Sequence, residues 1–215
     1  LKEELKFLRD DTLIIPNGIN IKDYPFRARQ KAKPSVIWLR AFHEVYNPLM
    51  ALEAFVDVKE KYPDTSFCMI GPNKGDKTLE NVKLFLKNKG LEKNVKIIEG
   101  IKKTEVPIFL NKYDIFLNSS NIDNMPVTVI EALACGLCVV STNVGGIPYL
   151  LEDGKDSILV PPKDPLKMAE AILRILQEGE LCSKLNSFGR KSAEKLDWEN
   201  VLPLWVNCIN SCTYE

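Results

Sequence analysis

Two carboxylates separated by seven residues, Asp123 and Glu131, bracket the start of a helix-like run. The stretch reads Asn118-Ser119-Ser120-Asn121-Ile122-Asp123-Asn124-Met125-Pro126-Val127-Thr128-Val129-Ile130-Glu131-Ala132-Leu133-Ala134-Cys135-Gly136. A polar loop enters a helix at Pro126, and Gly136 stops it. N–H groups in a first helical turn lack internal acceptors and attract anions. The stretch Asn124, Met125, Pro126, Val127 and Thr128 is therefore expected to face a diphosphate. Asp123 stands before the helix and Glu131 about one and a half turns inside it. Either carboxylate can accept the paired hydroxyls of a ribose or a sugar. The spacing alone leaves a plainer reading open, with Asp123 or Asn124 as a helix cap and Glu131 as a solvated side chain.

Such a site needs elements that aim it. In open α/β sheets, ligands sit beyond the carboxyl ends of the strands, near helix N-termini. Short apolar runs predict strands at Ser35–Leu39, Ser66–Ile70, Val95–Ile98, Asp114–Leu117, Leu137–Val140 and Ser157–Val160. Their unbroken apolar character suits a parallel sheet buried on both faces. Helices are predicted over Pro48–Tyr62, over Thr78–Lys89 before Gly90, and from Asp164-Pro165 to just before Gly179. Strand and helix in alternation imply right-handed crossovers and a Rossmann-like open parallel sheet with helices on both faces. That unit is expected over residues 35–180, after a linker at 1–34 and before C-terminal helices at 181–215. Within the linker, a charged helical stretch is expected to lead into a strand and a Pro16-Asn17-Gly18 turn. The last helix, Trp198–Cys212, carries Trp198, Val201, Leu202, Trp205, Ile209 and Cys212 along one side, and Pro203 should kink it. The stripe either packs on its own domain or awaits a missing half or a second copy.

Composition narrows the function. Twenty-nine basic and 29 acidic side chains among 215 residues cancel, which removes the electrostatic drive of nucleic-acid binding. No apolar run is long enough to cross a bilayer and no secretory signal is visible, so a cytoplasmic protein is expected. The chain opens on Leu1, as expected of a piece of a longer protein. Its six cysteines are too sparse for a disulfide scaffold and read as structural thiols. Cys135 and Cys138 form a C-x-x-C without the second pair or histidine that a zinc site requires.

The combined motifs resemble the donor-binding C-terminal half of the group-1 glycosyltransferases, a large retaining family with the two-domain GT-B fold. The resemblance rests on the Asp123/Glu131 pair, the run Glu131-Ala132-Leu133-Ala134-Cys135-Gly136, and Gly145-Gly146-Ile147-Pro148. It continues through Glu152-Asp153-Gly154, Leu159-Val160-Pro161-Pro162 and, upstream, Ile15-Pro16-Asn17-Gly18-Ile19-Asn20. It implies that Glu131 bonds the ribose of a nucleoside-diphosphate sugar, that Asp123 contacts the sugar, and that amides beside Asp123 hold the diphosphate. Arg40, which read alone is a surface ion pair, becomes the basic residue after the first strand that neutralises the diphosphate. Gly71 becomes a wall of the donor cleft. The resemblance further implies transfer of the sugar, with retention and without a metal or other cofactor, to a saccharide or lipid-linked acceptor. The acceptor side of the cleft would belong to an N-terminal domain absent from this chain. Other readings are a non-catalytic sugar-nucleotide-binding or assembly subunit of a split transferase, and a sugar-nucleotide epimerase.

The chain departs from the family in places. The lysine common about five residues after the arginine is missing from Ala41-Phe42-His43-Glu44-Val45-Tyr46-Asn47-Pro48, so diphosphate charge is compensated less or from elsewhere. His43 is either a phosphate donor or a packed side chain. Asp123 replaces a commoner Glu, Asn124-Met125-Pro126 a commoner Gly-Phe-Gly, and Tyr149 a frequent Glu. The loop Gly71-Pro72-Asn73-Lys74-Gly75-Asp76-Lys77-Thr78 fails the spacing of a P-loop, and no G-x-G-x-x-G supports a dinucleotide. Ten lysines against five acidic residues within 72–112 form either a solvated face or a peripheral contact with anionic lipid at the inner membrane face.

Overall fold

The computed structural model describes residues 13–212. Six strands form one parallel sheet: β1 (Ser35–Leu39), β2 (Ser66–Ile70), β3 (Val95–Ile98), β4 (Ile115–Asn118), β5 (Cys138–Thr142) and β6 (Ser157–Val160). Their order across the sheet is β3-β2-β1-β4-β5-β6. The chain thus winds outward in one direction from β1 and, after β3, returns to wind the other way from β4. The crevice beyond β1 and β4 is the point where strand order reverses, which is where open α/β sheets take ligands.

The strands inside the sheet are buried on both sides because their alternate residues enter two different cores, whereas the edge strand β3 leaves Lys96 exposed. Val36 and Trp38 pack with α1 (Pro48–Lys61), α2 (Thr78–Lys89) and α6 (Pro165–Gln177). Ile37 and Leu39 pack on the opposite face with α3 (Val106–Leu110), α4 (Val127–Ala134) and α5 (Ile147–Leu150). Two longer helices, α7 (Gly179–Glu194) and α8 (Trp198–Cys212), close the chain, and α7 lies against α4. Local chemistry fixes the helix ends. Asn47, in the left-handed region, accepts from Met50 N–H at 3.3 Å and precedes Pro48, while Asp164 accepts from Lys167 N–H at 3.0 Å. α2 stops at Gly90, whose φ is +65°.

The sheet and its flanking helices match the sequence expectation, with differences at the ends. β4 and β5 each begin one residue later than predicted, because Asp114 and Leu137 are drawn into the approach to the strand. Asp114 accepts from the Arg29 guanidinium at 3.0 Å and from Lys33 N–H at 2.7 Å, and it pairs with Arg27, so it anchors the leading segment. The strand expected before Pro16 does not form. Residues 13–18 carry no regular structure, and Ile19 makes an isolated bridge to Asp197. The expected helical stretch before it lies outside the described residues. α8 runs unbroken through Pro203. Its apolar stripe is buried near its start, at Val201, whereas Leu202, Trp205 and Ile209 are 55%, 45% and 58% exposed. Trp198 covers Gly18, where an added β-carbon would meet the indole at 2.7 Å.

Candidate functional site

The reversal point gathers most of the predicted residues. Arg40 follows β1 directly, and its Nη2 donates to Asp123 Oδ2 at 2.6 Å. Both side chains are largely buried, at 15% and 7% exposed. The guanidinium also lies over the Tyr46 ring, 4.1 Å from its centroid. Asp123 is therefore not a helix cap. Its Oδ1 accepts from its neighbour Asn124 N–H at 3.0 Å, and Ser120 Oγ lies 2.9 Å from Oδ2. The first turn of α4 follows Pro126, which offers no side-chain cap.

A polar framework holds the loop between β4 and α4. Asn118 Nδ2 donates to Ser141 Oγ at 3.0 Å, Thr142 Oγ1 donates to Ser120 O at 2.7 Å, and Asn121 N–H reaches Val45 O at 2.7 Å. From the far side, Gly145 and Gly146 press against the loop backbone. A β-carbon on either would sit 2.1 Å from the carbonyl of Asp123 or Asn124. Gly146 N–H donates to Asp123 O at 3.0 Å, so the glycine pair exists to let two backbones touch.

α4 aims its N-terminus at this crevice. Its C-terminal carbonyls are capped by two arginines: Arg29 Nη1 bonds Cys135 O at 2.9 Å and Gly136 O at 2.7 Å, and Arg190 Nη1 bonds Ala134 O at 2.8 Å. At the other end, the N–H groups of Met125, Val127 and Thr128 have no acceptor among the described residues. Pro126 has no N–H, and that of Asn124 is engaged by Asp123, so the expected row of amides is shorter than five.

A cavity of about 370 Å³ opens here, walled by Leu39, Arg40, Ala41, Tyr46, Ile70, Gly71, Pro72, Lys74 and Thr128. It brings Arg40, Gly71 and Thr128 together. Arg40 Nε and Thr128 Oγ1 are buried without a hydrogen-bond partner, an arrangement suited to anionic oxygens. Glu131 stands apart from this wall. Far from being solvated, it is 1% exposed, and its Oε1 accepts from Tyr24 OH at 2.6 Å and pairs with Lys103. Burial and, next, this carboxylate push the Tyr24 phenol far above its ordinary range, so it remains a donor. His43 serves the backbone: its Nδ1 accepts from Val45 N–H at 3.2 Å and caps a 3₁₀ turn at Glu44–Tyr46.

Sequence reasoning missed Tyr24, Tyr46, Lys74 and Lys103. Tyr24 lies 107 residues from Glu131 and carries no local signal. Lys74 lay within a loop set aside for its wrong P-loop spacing. Four of the six cysteines fit the structural reading: Cys68, Cys135, Cys138 and Cys182 are buried free thiols, and Cys138 approaches Cys182 at 3.5 Å, while Cys208 is a half-buried free thiol. Burial pushes the Cys135 thiol up to about 12. All ten lysines of 72–112 are exposed, and among the described residues no helix is long and apolar enough to cross a membrane.

Comparison with known proteins completes the picture. Spore coat protein SA of Bacillus subtilis (strain 168) is 28% identical over 214 residues, covering 90% of this chain and 57% of that protein. The chain spans about half the length of the curated relatives it matches. In fold it is similar to sucrose-phosphate synthase from Thermosynechococcus elongatus, with a TM-score of 0.83 and 20% identity over 98% of this chain and 56% of that one. Anabaena Alr3699/HepE, solved in complex with UDP-glucose, gives a TM-score of 0.82 at 18% identity, over 93% and 57% of the two chains. The sheet is thus the Rossmann-like half of a GT-B fold. Residues 21–192 match the family described as Glycosyl transferases group 1, and the chain belongs to that family.

Proposed function

We propose that this chain is the nucleotide-sugar-binding half of a glycosyltransferase. The complete enzyme moves a sugar from a nucleoside diphosphate to a saccharide or lipid-linked acceptor, retains the anomeric configuration and uses no metal. The observation that carries the reading is the meeting of Arg40, Asp123 and the N-terminus of α4 at the strand-order reversal. The UDP-glucose bound by the Anabaena neighbour supports a donor of this class.

Chemically, breaking the bond between the anomeric carbon and the diphosphate oxygen builds negative charge on the leaving diphosphate. Stabilising that charge lowers the barrier, and it falls to cationic and N–H donors fixed before the reaction. Arg40 is such a donor. Asp123 and the Tyr46 ring hold its plane, and its unpartnered Nε is directed to phosphate oxygen. The N–H groups of Val127 and Thr128 add the helix terminus. Asp123 turns its Oδ1 edge to the sugar hydroxyls. Glu131, with Oε1 held by Tyr24 and Lys103, offers Oε2 to the ribose. The acceptor and the opposite wall of the cleft come from the partner half, so this chain alone binds donor weakly and turns over little or nothing.

The test is a thermal-shift titration with UDP, GDP, ADP and CMP and their sugar conjugates, on this chain and on Glu131→Gln and Arg40→Ala. A ligand that binds only the folded state raises the midpoint by mass action. We expect one nucleoside diphosphate to shift the chain and both variants to lose that shift. In the complete enzyme, Arg40→Ala should lower kcat by about 10²-fold, as removal of one transition-state donor does. Millimolar ligand with no shift, or robust transfer by this chain alone, would overturn the reading.

A further inference from the structure

We propose that Lys74 supplies the positive charge that Arg40 cannot give undivided, binding the diphosphate from the loop that follows β2. The proposal rests on the donor-site reading above.

The cations around the site are already matched. Arg40 is paired with Asp123, and Lys103 with Glu131. Each phosphoryl group of a nucleotide sugar keeps a negative charge at neutral pH, and these two ion pairs leave no net charge to meet it. Lys74 is a wall residue of the same cavity and has no ion pair or side-chain hydrogen bond among the described residues. Two other lysines within 72–112 are engaged elsewhere. Lys83 is paired with Glu99, and Lys112 lies over the Phe109 ring.

The backbone delivers Lys74 to that position by extending the β1–β2 pairing beyond the strands. Arg40 N–H donates to Ile70 O at 3.1 Å, Phe42 N–H to Pro72 O at 2.9 Å, and Lys74 N–H to Phe42 O at 3.4 Å, with a parallel bridge between Phe42 and Asn73. The pairing needs Gly71, because a β-carbon there would sit 1.7 Å from the Arg40 carbonyl. Past Lys74 the loop is tied down again. Asn73 Oδ1 accepts from Gly75 N–H at 2.9 Å, and Asp76 accepts from Glu44 N–H at 2.9 Å and from Thr78 N–H at 3.1 Å. Asp76, the nearest carboxylate in sequence, is thereby occupied with backbone donors. The arrangement puts Lys74 on the lining of the same cavity as the unpartnered Arg40 Nε and Thr128 Oγ1. It also accounts for the missing lysine downstream of Arg40: the charge arrives from the β2 side of the crevice.

The test uses this chain and measures affinity by calorimetry or ligand-observed NMR for UDP, GDP and ADP beside uridine, guanosine and adenosine. The variants are Lys74→Met, Lys74→Arg and, as a control on the same loop but outside the wall, Lys77→Met. For the nucleotide that binds, Lys74→Met should lose about 10-fold or more in diphosphate affinity, as expected for one charge-assisted hydrogen bond. Nucleoside affinity should not change, Lys74→Arg should restore most of the loss, and Lys77→Met should match wild type. Lys74 is exposed, so the variants should melt with the wild-type chain. Diphosphate affinity unchanged in Lys74→Met, or lost equally in Lys77→Met, overturns the role of Lys74 and leaves the donor site standing. A wild-type chain that holds no diphosphate more tightly than its nucleoside overturns both.

Discussion

At the scale of single residues, the site is built from ion pairs whose partners lie far apart in the chain. Glu131 is oriented inside α4 by one phenol and one ammonium. Tyr24→Phe keeps the ring and removes the donor, so the variant should lose about 1.5–3 kcal/mol, the range for a hydrogen bond to a charged group. Urea unfolding of this chain measures it, and a loss below about 0.5 kcal/mol would mean that Lys103 alone orients the carboxylate. The carboxylates themselves were legible, because Asp123 and Glu131 fall at a fixed spacing in one continuous segment. Their partners were not. Arg40 reaches Asp123 across 83 residues, and Tyr24 reaches Glu131 across 107, distances over which local pattern carries no information. The plainer reading of Glu131 as solvated failed because α4 is enclosed by the sheet, α7 and the leading segment, which bury Val129 to Ala134 throughout.

At the scale of elements, two backbone contacts decide whether the site exists. Gly145, at φ +53°, lies against the Asp123 carbonyl. Gly145→Ala combines a left-handed backbone with overpacking and should cost on the order of 3 kcal/mol or more. Because the loop bearing Asp123 must move, donor binding should fall even at temperatures where the variant is folded, and calorimetry at 10–15 °C below its midpoint tests this. The loop bearing Lys74 depends on Asp76, whose carboxyl is held below its ordinary value chiefly by the Glu44 N–H. A depressed folded pKa means that the tie is complete at neutral pH and lost as pH falls through that value. The Glu44 amide resonance should therefore titrate with a midpoint below 3.8, and a midpoint above it would deny the bond. Strands and long helices were readable because burial on two faces leaves uninterrupted apolar runs. Their ends shifted where a side chain had a tertiary task, as Asp114 does in gathering Arg27, Arg29 and Lys33. The strand expected before Pro16 failed for a related reason: an apolar run without a neighbouring edge to pair with stays irregular.

At the scale of the whole molecule, α8 leaves the domain with one apolar side uncovered. Val201 is 1% exposed and Trp205 45% exposed, although both belong to the same stripe. Val201→Ser should destabilise the chain by about 1–3 kcal/mol through the loss of buried methyls and an added hydroxyl. Trp205→Ser should stay within about 0.5 kcal/mol of wild type. Equal losses in chemical denaturation would mean that the far end of α8 is also packed. Periodicity had marked the stripe correctly as one face of a helix. It could not say how much of that face the domain would cover, since the answer lies in where α7 ends and the leading segment returns. That return ties the leading segment to the start of α8. Ile19 gives its N–H to Leu196 and takes that of Trp198, both at 2.9 Å, beneath the indole that covers Gly18. Because Ile19 and Asp197 bridge in parallel, tension drawing the leading segment away from α8 would load both bonds of this clasp together before it reached the sheet. The domain thus carries a mechanical clasp where the leading segment meets α8.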